Sequence, residues 1–213
     1  EEKLVSGMRN RGYDEIFSRQ IYHQILGFGE YGFPESHAAS FALLVYVSAW
    51  LKHHEPAAFT CALLNSQPMG FYAPSQLTQD ARRHGVEIRP ADVTVSNWNC
   101  TLELVDGSHA IRLGLRLVKG FSRNGGERLA AARTQRPLRD IDDLAHRAQL
   151  NQTDLQALAA AGALKSLVSS HRRQAAWNAA GYQPGMPIFG CGKIAEGIPM
   201  LRTPNRAEET YAD

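Results

Sequence analysis

A short segment near the middle of the chain, Lys119-Gly-Phe-Ser122, sets the strongest constraint on the fold. It follows an apolar run that begins at Ile111, and it precedes a helical pattern that carries Arg128 and Arg133. A glycine at this point lets the backbone turn sharply and approach a partner closely. We therefore predict an apolar strand or short helix, then a tight hairpin and a helix, with the amides of Gly120, Phe121 and Ser122 pointing outward.

A hairpin that leads into a helix N-terminus favours anions, because the amides there are unpaired and the helix dipole is positive. Lys119 and Arg123 add positive charge on either side. The segment resembles a helix-hairpin-helix element, which binds the nucleic-acid backbone without reading bases. The alternative is an ordinary helical turn that ends at a glycine. The predicted DNA-binding residues are Lys119, Gly120, Phe121, Ser122, Arg123 and Arg128.

A second, degenerate copy of this element is predicted downstream. Residues 141–147 and 155–164 repeat the helical pattern, and Ala161-Gly-Ala163 takes the place of the hairpin. Since no basic residue lies beside it before Lys165, we expect this copy to serve as a packing partner rather than as the main phosphate contact.

Charge is unevenly distributed, although the formal net charge is only +2. Residues 101–180 carry 12 basic and 7 acidic side chains, whereas the segments before and after them are slightly acidic. A local excess of this kind is what a phosphate-binding surface needs. The alternative is a solvated, charged helical face.

Composition excludes several classes of protein. An apolar content of 44% over 213 residues allows a buried core. No apolar run is long enough to span a membrane, and the start of the chain lacks the features of a signal peptide. Three cysteines without a Cys-x-x-Cys pair argue against a disulfide framework or a zinc site, and favour a reducing cytoplasm. Because the chain lacks an initiating Met, we expect it to be a piece of something longer.

Catalytic and metal-binding patterns are absent from the sequence. Neither a nucleophile elbow nor a Gly-x-x-x-x-Gly-Lys phosphate loop occurs. Asp142 and Asp143 are adjacent, but neighbours on a helix point about 100° apart, so a shared metal ion is not expected. A role for both in the first turn of a helix explains them better.

The predicted fold class is mainly α: a helical segment, then a small β-hairpin, a tandem helix-hairpin-helix domain and an extended tail. Periodicity predicts helices over 14–26, 35–53, 57–65 and 76–84, with a break at Gly27-Phe-Gly29 and an N-cap at Ser75. Asp106-Gly107 predicts a tight turn between strands 101–105 and 109–115. Ser169 or Ser170 is expected to cap a last helix that ends near residue 180.

Long ordered blocks of the sequence resemble one known family. The run Phe28-Gly-Glu-Tyr-Gly-Phe-Pro-Glu-Ser-His37, continuing to Lys52, closely resembles the fingers region of the bacterial C-family DNA polymerases, which include the alpha subunit of DNA polymerase III. Residues 56–59, 62–72 and 82–90 continue the match in order, and it extends through the hairpin region to about residue 182. Pro34-Glu35 and Asn65–Tyr72 look most like the error-prone branch of the family, linked to damage-induced mutagenesis.

The resemblance implies a division of the chain into four parts. Residues 1–70 are the end of the fingers, 71–107 a connection with short strands, 108–182 the duplex-binding domain, and 183–213 a tail. It also implies that Ser36 and His37 approach the triphosphate of the incoming nucleotide. The alternative is that Ser36 caps a helix and His37 lies in its first turn. Mg²⁺ is implied for the full-length enzyme, bound by palm carboxylates upstream of this fragment, so that the fragment alone is not expected to catalyse synthesis.

The tail contains a peptide similar to those that dock on the bacterial sliding clamp. Gln183 would anchor it through polar contacts, whereas Met186, Ile188 and Phe189 would fill an apolar groove. The alternative is a loop that buries Phe189 in its own domain. The implied partners are DNA, the sliding clamp and mutagenesis accessory proteins, in the bacterial cytoplasm and without a membrane. Two other functions stay open: a protein-interaction module that presents the tail, and a free-standing helix-hairpin-helix protein.

Overall fold

The computed structural model describes residues 1–31, 35–168, 171–182, 199–205 and 208, with the side chains of 28–31 and 35–37 excepted. The chain divides into two compact units, Glu1–His53 and His54–Asp213. The described residues form ten α-helices and one three-stranded sheet. The prediction of a mainly α fold is confirmed. No helix in these described ranges has the length and apolar character needed to cross a membrane.

The first unit contains α1 (Glu2–Arg9), α2 (Glu15–Tyr31) and α3 (Glu35–His54). The carboxylate of Asp14 accepts the Ile16 amide at 3.1 Å and so satisfies one of the free amides at the start of α2. The predicted break at Gly27-Phe-Gly29 is wrong, because α2 continues through it to Tyr31. A glycine inside a helix costs only about 1 kcal/mol relative to alanine, so it does not by itself end the helix.

The second unit begins with a small sheet covered by two helices. Its helices are α4 (Pro56–Asn65) and α5 (Pro74–Arg83), and its strands are β1 (Ile88–Arg89), β2 (Thr101–Val105) and β3 (Ser108–Arg112). The strand order is β1-β3-β2, with β1 parallel and β2 antiparallel to β3. The predicted tight turn between β2 and β3 is confirmed, since Asp106 and Gly107 have φ values of 48° and 82°. The buried residues beneath this sheet are Ala57, Cys61, Leu64, Ala81, Val86, Cys100 and Ile111.

The start of α5 differs from the prediction. The helix begins at Pro74, with Ala73 rather than Ser75 as its N-cap. Proline suits a first helical position, because that amide has no helical acceptor. The side chain of Gln76 accepts the Ala73 amide at 3.0 Å, which stabilises the turn without a serine cap.

A second, helical core follows the sheet. It consists of a 3₁₀ turn (Leu115–Leu117) and the helices α6 (Arg123–Gln135), α7 (Ile141–Arg147), α8 (Gln152–Ala160), α9 (Lys165–Val168) and α10 (Arg172–Ala180). Fully buried leucines at its centre hold these helices together, and they are Leu115, Leu129, Leu144, Leu155, Leu158 and Leu164. The predicted serine cap of α10 is wrong: His171 is the N-cap, and its Nδ1 accepts the Gln174 amide at 3.3 Å.

Part of the tail returns to α10. Gln174 Nε2 donates to the Pro199 carbonyl at 3.3 Å, and Gln174 Oε1 accepts the Leu201 amide at 3.0 Å. The Gln174 side chain therefore binds one backbone carbonyl and one backbone amide of this part of the tail.

Candidate nucleic-acid interface

The first hairpin, defined here as Val118–Ser122, joins the 3₁₀ turn to α6. Gly120 has a φ of +83°, a left-handed conformation that glycine adopts without steric cost. Phe121 is buried in the helical core, and the Ser122 hydroxyl accepts the Gly125 amide at 3.1 Å as the N-cap of α6. The sequence prediction of a break at this position is confirmed.

The amides of the first hairpin differ in their availability. The prediction that all three amides of Gly120, Phe121 and Ser122 point outward is wrong for Phe121, which donates to the Val118 carbonyl at 3.2 Å. That bond closes the turn. Among the contacts of the described residues, the amides of Gly120 and Ser122 have no acceptor, and the same holds for Arg123 at the start of α6. These exposed donors are what an anion would bind.

Two glycines let the core pack tightly beneath the first hairpin. A Cβ on Gly125 would lie 3.0 Å from Phe121 Cε2, and a Cβ on Gly126 would lie 2.7 Å from Trp98 Cε3. The rings of Trp98 and Phe121 are 6.5 Å apart, tilted by 44°. The loop that carries Trp98 therefore supports the hairpin from below.

A second hairpin, Ala148–Asn151, has the same construction and joins α7 to α8. Gln149 has a φ of +48°, Leu150 is buried, and the Asn151 side chain accepts the Asp154 amide at 2.8 Å. Each feature lies 29 positions after its counterpart in the first hairpin. The cores match as well, since Leu129 in α6 and Leu158 in α8 are both fully buried.

The sequence patterns did not predict this second hairpin. The predicted copy at Ala161-Gly-Ala163 is a turn with a φ of +70° at Gly162, but it joins α8 to α9. The counterpart of the first hairpin lies earlier in the chain, with glutamine in the position of the glycine. The available signal was the repeated order of a buried apolar residue followed by a capping residue, Phe121-Ser122 and Leu150-Asn151.

The predicted basic residues of the first hairpin have different surroundings. Lys119 is exposed and has no carboxylate partner within the described part of the chain. Arg123 pairs with Glu127 at 2.9 Å, and both side chains are largely exposed, so this ion pair is weak and open to competition by phosphate. Arg128 is half-buried, and it donates to the Ala148 carbonyl at 2.8 Å and to the Gln149 carbonyl at 3.2 Å.

Half of the ten arginines in residues 101–180 donate to backbone carbonyls and so contribute to the fold. Burial lowers the pKa of Arg133, although the charge of Asp92 opposes this, and its guanidinium donates to the Ser96 carbonyl at 2.8 Å. Four others also donate to backbone carbonyls, namely Arg112, Arg116, Arg128 and Arg147. The local excess of positive charge therefore does not by itself outline a DNA-binding surface.

Asp143 accepts hydrogen bonds from three arginines. It accepts from Arg136 Nη2 at 2.6 Å, from Arg147 Nη1 at 3.1 Å and from the Arg139 amide at 3.1 Å. Burial alone raises the pKa of Asp143, but these hydrogen bonds outweigh it and lower the pKa to about 2. No group of three or more potential metal ligands occurs among the described residues.

The structure describes the remaining predicted residues only in part or not at all. The backbone of Ser36 and His37 is in the first turn of α3, and their side chains are among those not described. Gln183, Met186, Ile188 and Phe189 lie outside the described residues. Nucleotide proximity and clamp binding both stay predictions.

The paired hairpins form a tandem helix-hairpin-helix domain within the second unit. A family model for the helix-hairpin-helix motif matches residues 85–175, which include both hairpins. Along its whole length the chain is 58% identical to an error-prone DNA polymerase of Methylococcus capsulatus and 59% identical to one of Alkalilimnicola ehrlichii. It is 51% identical to an error-prone DNA polymerase of Pseudomonas aeruginosa.

The chain spans only 21–22% of the length of these relatives. It therefore matches a fragment of a C-family DNA polymerase, of the error-prone kind, and the resemblance found in the sequence is confirmed.

Proposed function

We propose that this chain binds the backbone of duplex DNA through its two hairpins, as the duplex-holding part of an error-prone DNA polymerase. The observation that carries the proposal is the first hairpin, where free amides at Gly120, Ser122 and Arg123 lie beside the exposed charge of Lys119. Amides and a cation placed in this way fit a phosphate group. The matching relatives are DNA polymerases, which supports duplex DNA as the ligand.

The second hairpin supplies a weaker contact of the same kind. It exposes Gln149, Asn151 and Gln152 at the start of α8, without a basic side chain among them. The Gln149 amide donates to the His146 carbonyl and the Asn151 amide to Asp154 Oδ2, so the contribution of this hairpin comes from the Gln152 amide and from side-chain dipoles. The first hairpin adds full charges. Contacts to phosphate carry no sequence information, so we expect the binding to be independent of DNA sequence.

The activity of the whole protein is part of this proposal. We infer that the full-length protein is a DNA-directed DNA polymerase of the translesion type, in the bacterial cytoplasm, and that residues 1–70 belong to its fingers. Such enzymes hold Mg²⁺ with carboxylates that position the reacting phosphates. The described residues contain no group of three or more such ligands, and we expect this fragment alone not to catalyse synthesis. In the full-length enzyme, Ser36 and His37 would lie near the incoming nucleotide.

Binding of duplex DNA to the 213-residue chain tests the proposal. We expect the double variant Lys119→Ala/Arg123→Ala to weaken binding about 10-fold for every sequence tested, because each lost cation removes one phosphate contact. The slope of log K against log salt should fall by about 2, in line with two contacts. Fluorescence anisotropy at several salt concentrations measures both quantities.

The matched control is Arg82→Ala/Arg83→Ala, which removes the same charge from the exposed last turn of α5. It should leave the affinity within about 2-fold of the wild-type value, since charges away from the contact are screened. Equal losses of affinity in both double variants would show that the first hairpin contributes only through its positive charge. Binding that is insensitive to salt would contradict the phosphate contact altogether, and would favour the interaction-module alternative.

A further inference from the structure

We infer that Arg128 is a positioning residue: it holds the second hairpin against α6 and so sets the distance between the two hairpins, without contacting DNA itself. This inference rests on the proposed function, since it explains how two backbone-binding hairpins act together. It replaces the sequence-based role of Arg128 as a direct phosphate ligand.

Arg128 donates two hydrogen bonds to the second hairpin, and we call this pair of bonds the Arg128 brace. Its Nε donates to the Ala148 carbonyl at 2.8 Å, and its Nη2 donates to the Gln149 carbonyl at 3.2 Å. Both carbonyls follow the last turn of α7, where no later helical amide is available to them. A planar guanidinium is suited to binding two acceptors at once, and both bonds fix the orientation of the second hairpin relative to α6.

The internal repeat shows why this position matters. Arg128 lies six residues after the Ser122 cap, and Ala157 lies six residues after the Asn151 cap. A Cβ placed on Gly120 would lie 3.9 Å from the Cβ of Ala157. Each hairpin therefore lies beside the helix that follows the other hairpin, at the same position of the repeat. Gly120 lies near Ala157 with no side chain of its own, whereas Arg128 joins α6 to the second hairpin by two hydrogen bonds.

A fixed distance between two weak contacts increases their combined affinity, because binding of one hairpin then presents the other at the correct place. Without the brace, the second hairpin can move relative to the first, and part of this gain is lost. The first hairpin still binds phosphate by its own amides and by Lys119. We therefore expect Arg128 variants to lose the affinity that is gained when both hairpins bind the same duplex. The loss does not come from removal of a phosphate contact.

Arg128→Lys separates the brace from a direct charge contact. Lysine keeps the positive charge but cannot donate to two carbonyls in one plane. We expect Arg128→Lys and Arg128→Met to weaken duplex binding equally, about 5-fold, since the two-site gain is lost in both. A direct phosphate contact predicts that Arg128→Lys binds like the wild type, and that result would overturn the inference.

A double-mutant cycle tests whether Arg128 acts through the second hairpin. Gln152→Pro removes the exposed amide at the first position of α8; Asn151 is extended there, with ψ of 174°, and accepts a following proline. Gln152→Ala is the matched control, because both changes remove the side-chain bond from Gln152 to the Ala180 carbonyl. In the Gln152→Pro background, Arg128→Lys should change affinity by less than about 2-fold, since coupled changes are not additive. A full 5-fold loss in that background would contradict the inference.

Amide hydrogen exchange gives a readout that does not depend on DNA. The Leu150 amide donates to the Ala145 carbonyl at 2.9 Å, and its protection should fall in Arg128→Lys while amides of α10 keep theirs. Unchanged protection at Leu150 would overturn the brace even if the variant bound DNA poorly. If the wild-type chain binds no duplex, the proposed function fails, whereas the exchange result still decides the brace. If Arg128→Lys unfolds, protection is lost in α10 as well, and that outcome counts against a local role.

Discussion

At the scale of single residues, the glycine pair at the start of α6 matters through the space that it leaves. Gly126 has a normal helical backbone, but a Cβ there would lie 2.7 Å from Trp98 Cε3. Trp98 in turn packs beside Phe121, the buried residue of the first hairpin. The shape of the first hairpin therefore depends on a contact between two segments almost 30 residues apart.

The change Gly126→Ala tests this packing. In an open helical position the substitution stabilises a protein by about 0.5–1 kcal/mol, but here the added methyl group overlaps an indole ring. We expect a net loss of about 1–3 kcal/mol of unfolding free energy, the usual cost of overpacking a core. Chemical denaturation followed by Trp fluorescence measures it.

The matched control is Gly7→Ala in α1, where no atom lies within 4 Å of the added Cβ. This variant should be as stable as the wild type or slightly more so. A Gly126→Ala protein with wild-type stability would show that Trp98 moves aside at no cost, and that the close approach is not required.

At the scale of elements, the corner between α6 and α7 is held by Asp143. This carboxylate accepts from the guanidinium groups of Arg136 and Arg147, and Arg147 also donates to the carbonyl of Arg136 at 3.0 Å. The side chains of Asp143 and Arg147 are mostly buried, so their ion pair is less screened than a surface pair. One residue thereby joins the end of α6 to the start of α7, and places the second hairpin.

The pKa of Asp143 predicts an acid-dependent loss of stability. Its folded-state pKa is about 2, below the usual value of 3.8, so the carboxylate stabilises the fold fully above about pH 4. As the pH falls from about 4 to about 2, protonation removes this contribution, which amounts to about 1–2 kcal/mol. We expect Asp143→Asn to be less stable than the wild type at pH 6, with the difference shrinking toward pH 2.

Urea denaturation at a series of pH values measures this difference. Asp106→Asn is the control, because Asp106 is exposed in the turn between β2 and β3 and has no cationic partner among the described residues. Its stability difference from the wild type should not follow the pH profile of Asp143→Asn. A constant difference for Asp143→Asn across pH 2–6 would contradict the role of the carboxylate charge.

At the scale of the whole molecule, α3 exposes more apolar surface than a helix in water tolerates. Its consecutive residues Leu43, Leu44, Val45 and Tyr46 are each 59–69% exposed, so apolar groups face every side of the helix. A helix that is apolar all round is normally buried within a larger protein. The chain spans about a fifth of the length of its curated relatives.

We therefore expect the 213-residue chain to self-associate through α3. Exposed apolar patches of this extent drive association in proportion to the apolar area that becomes buried. Sedimentation velocity over a range of concentrations should show oligomers, and the double variant Leu44→Lys/Tyr46→Lys should shift the chain toward monomer.

The variant Arg82→Ala/Arg83→Ala again serves as a control, since its changes lie in the other unit. A wild-type chain that stays monomeric at high concentration would show that α3 is covered within the chain itself.

Features that depend only on residues close together in the chain could be predicted from the amino-acid sequence. The tight turn at Asp106-Gly107, the break at Gly120 and the helices that contain Phe41 and Phe59 all follow from local backbone preferences and periodicity. The resemblance to C-family polymerases also came from local blocks of sequence, and the comparisons confirm it. Such features need no knowledge of what lies elsewhere in the fold.

Which polar groups remain available to a ligand depends on the tertiary fold. Arg128 has the composition of a phosphate contact, yet its acceptors lie 20 and 21 residues further along the chain. Gln149 adopts a left-handed conformation that glutamine rarely has. The packing of Leu150 and the cap at Asn151 hold it there. A hydrogen bond between distant segments is chosen by packing, and local sequence patterns carry no information about its partner.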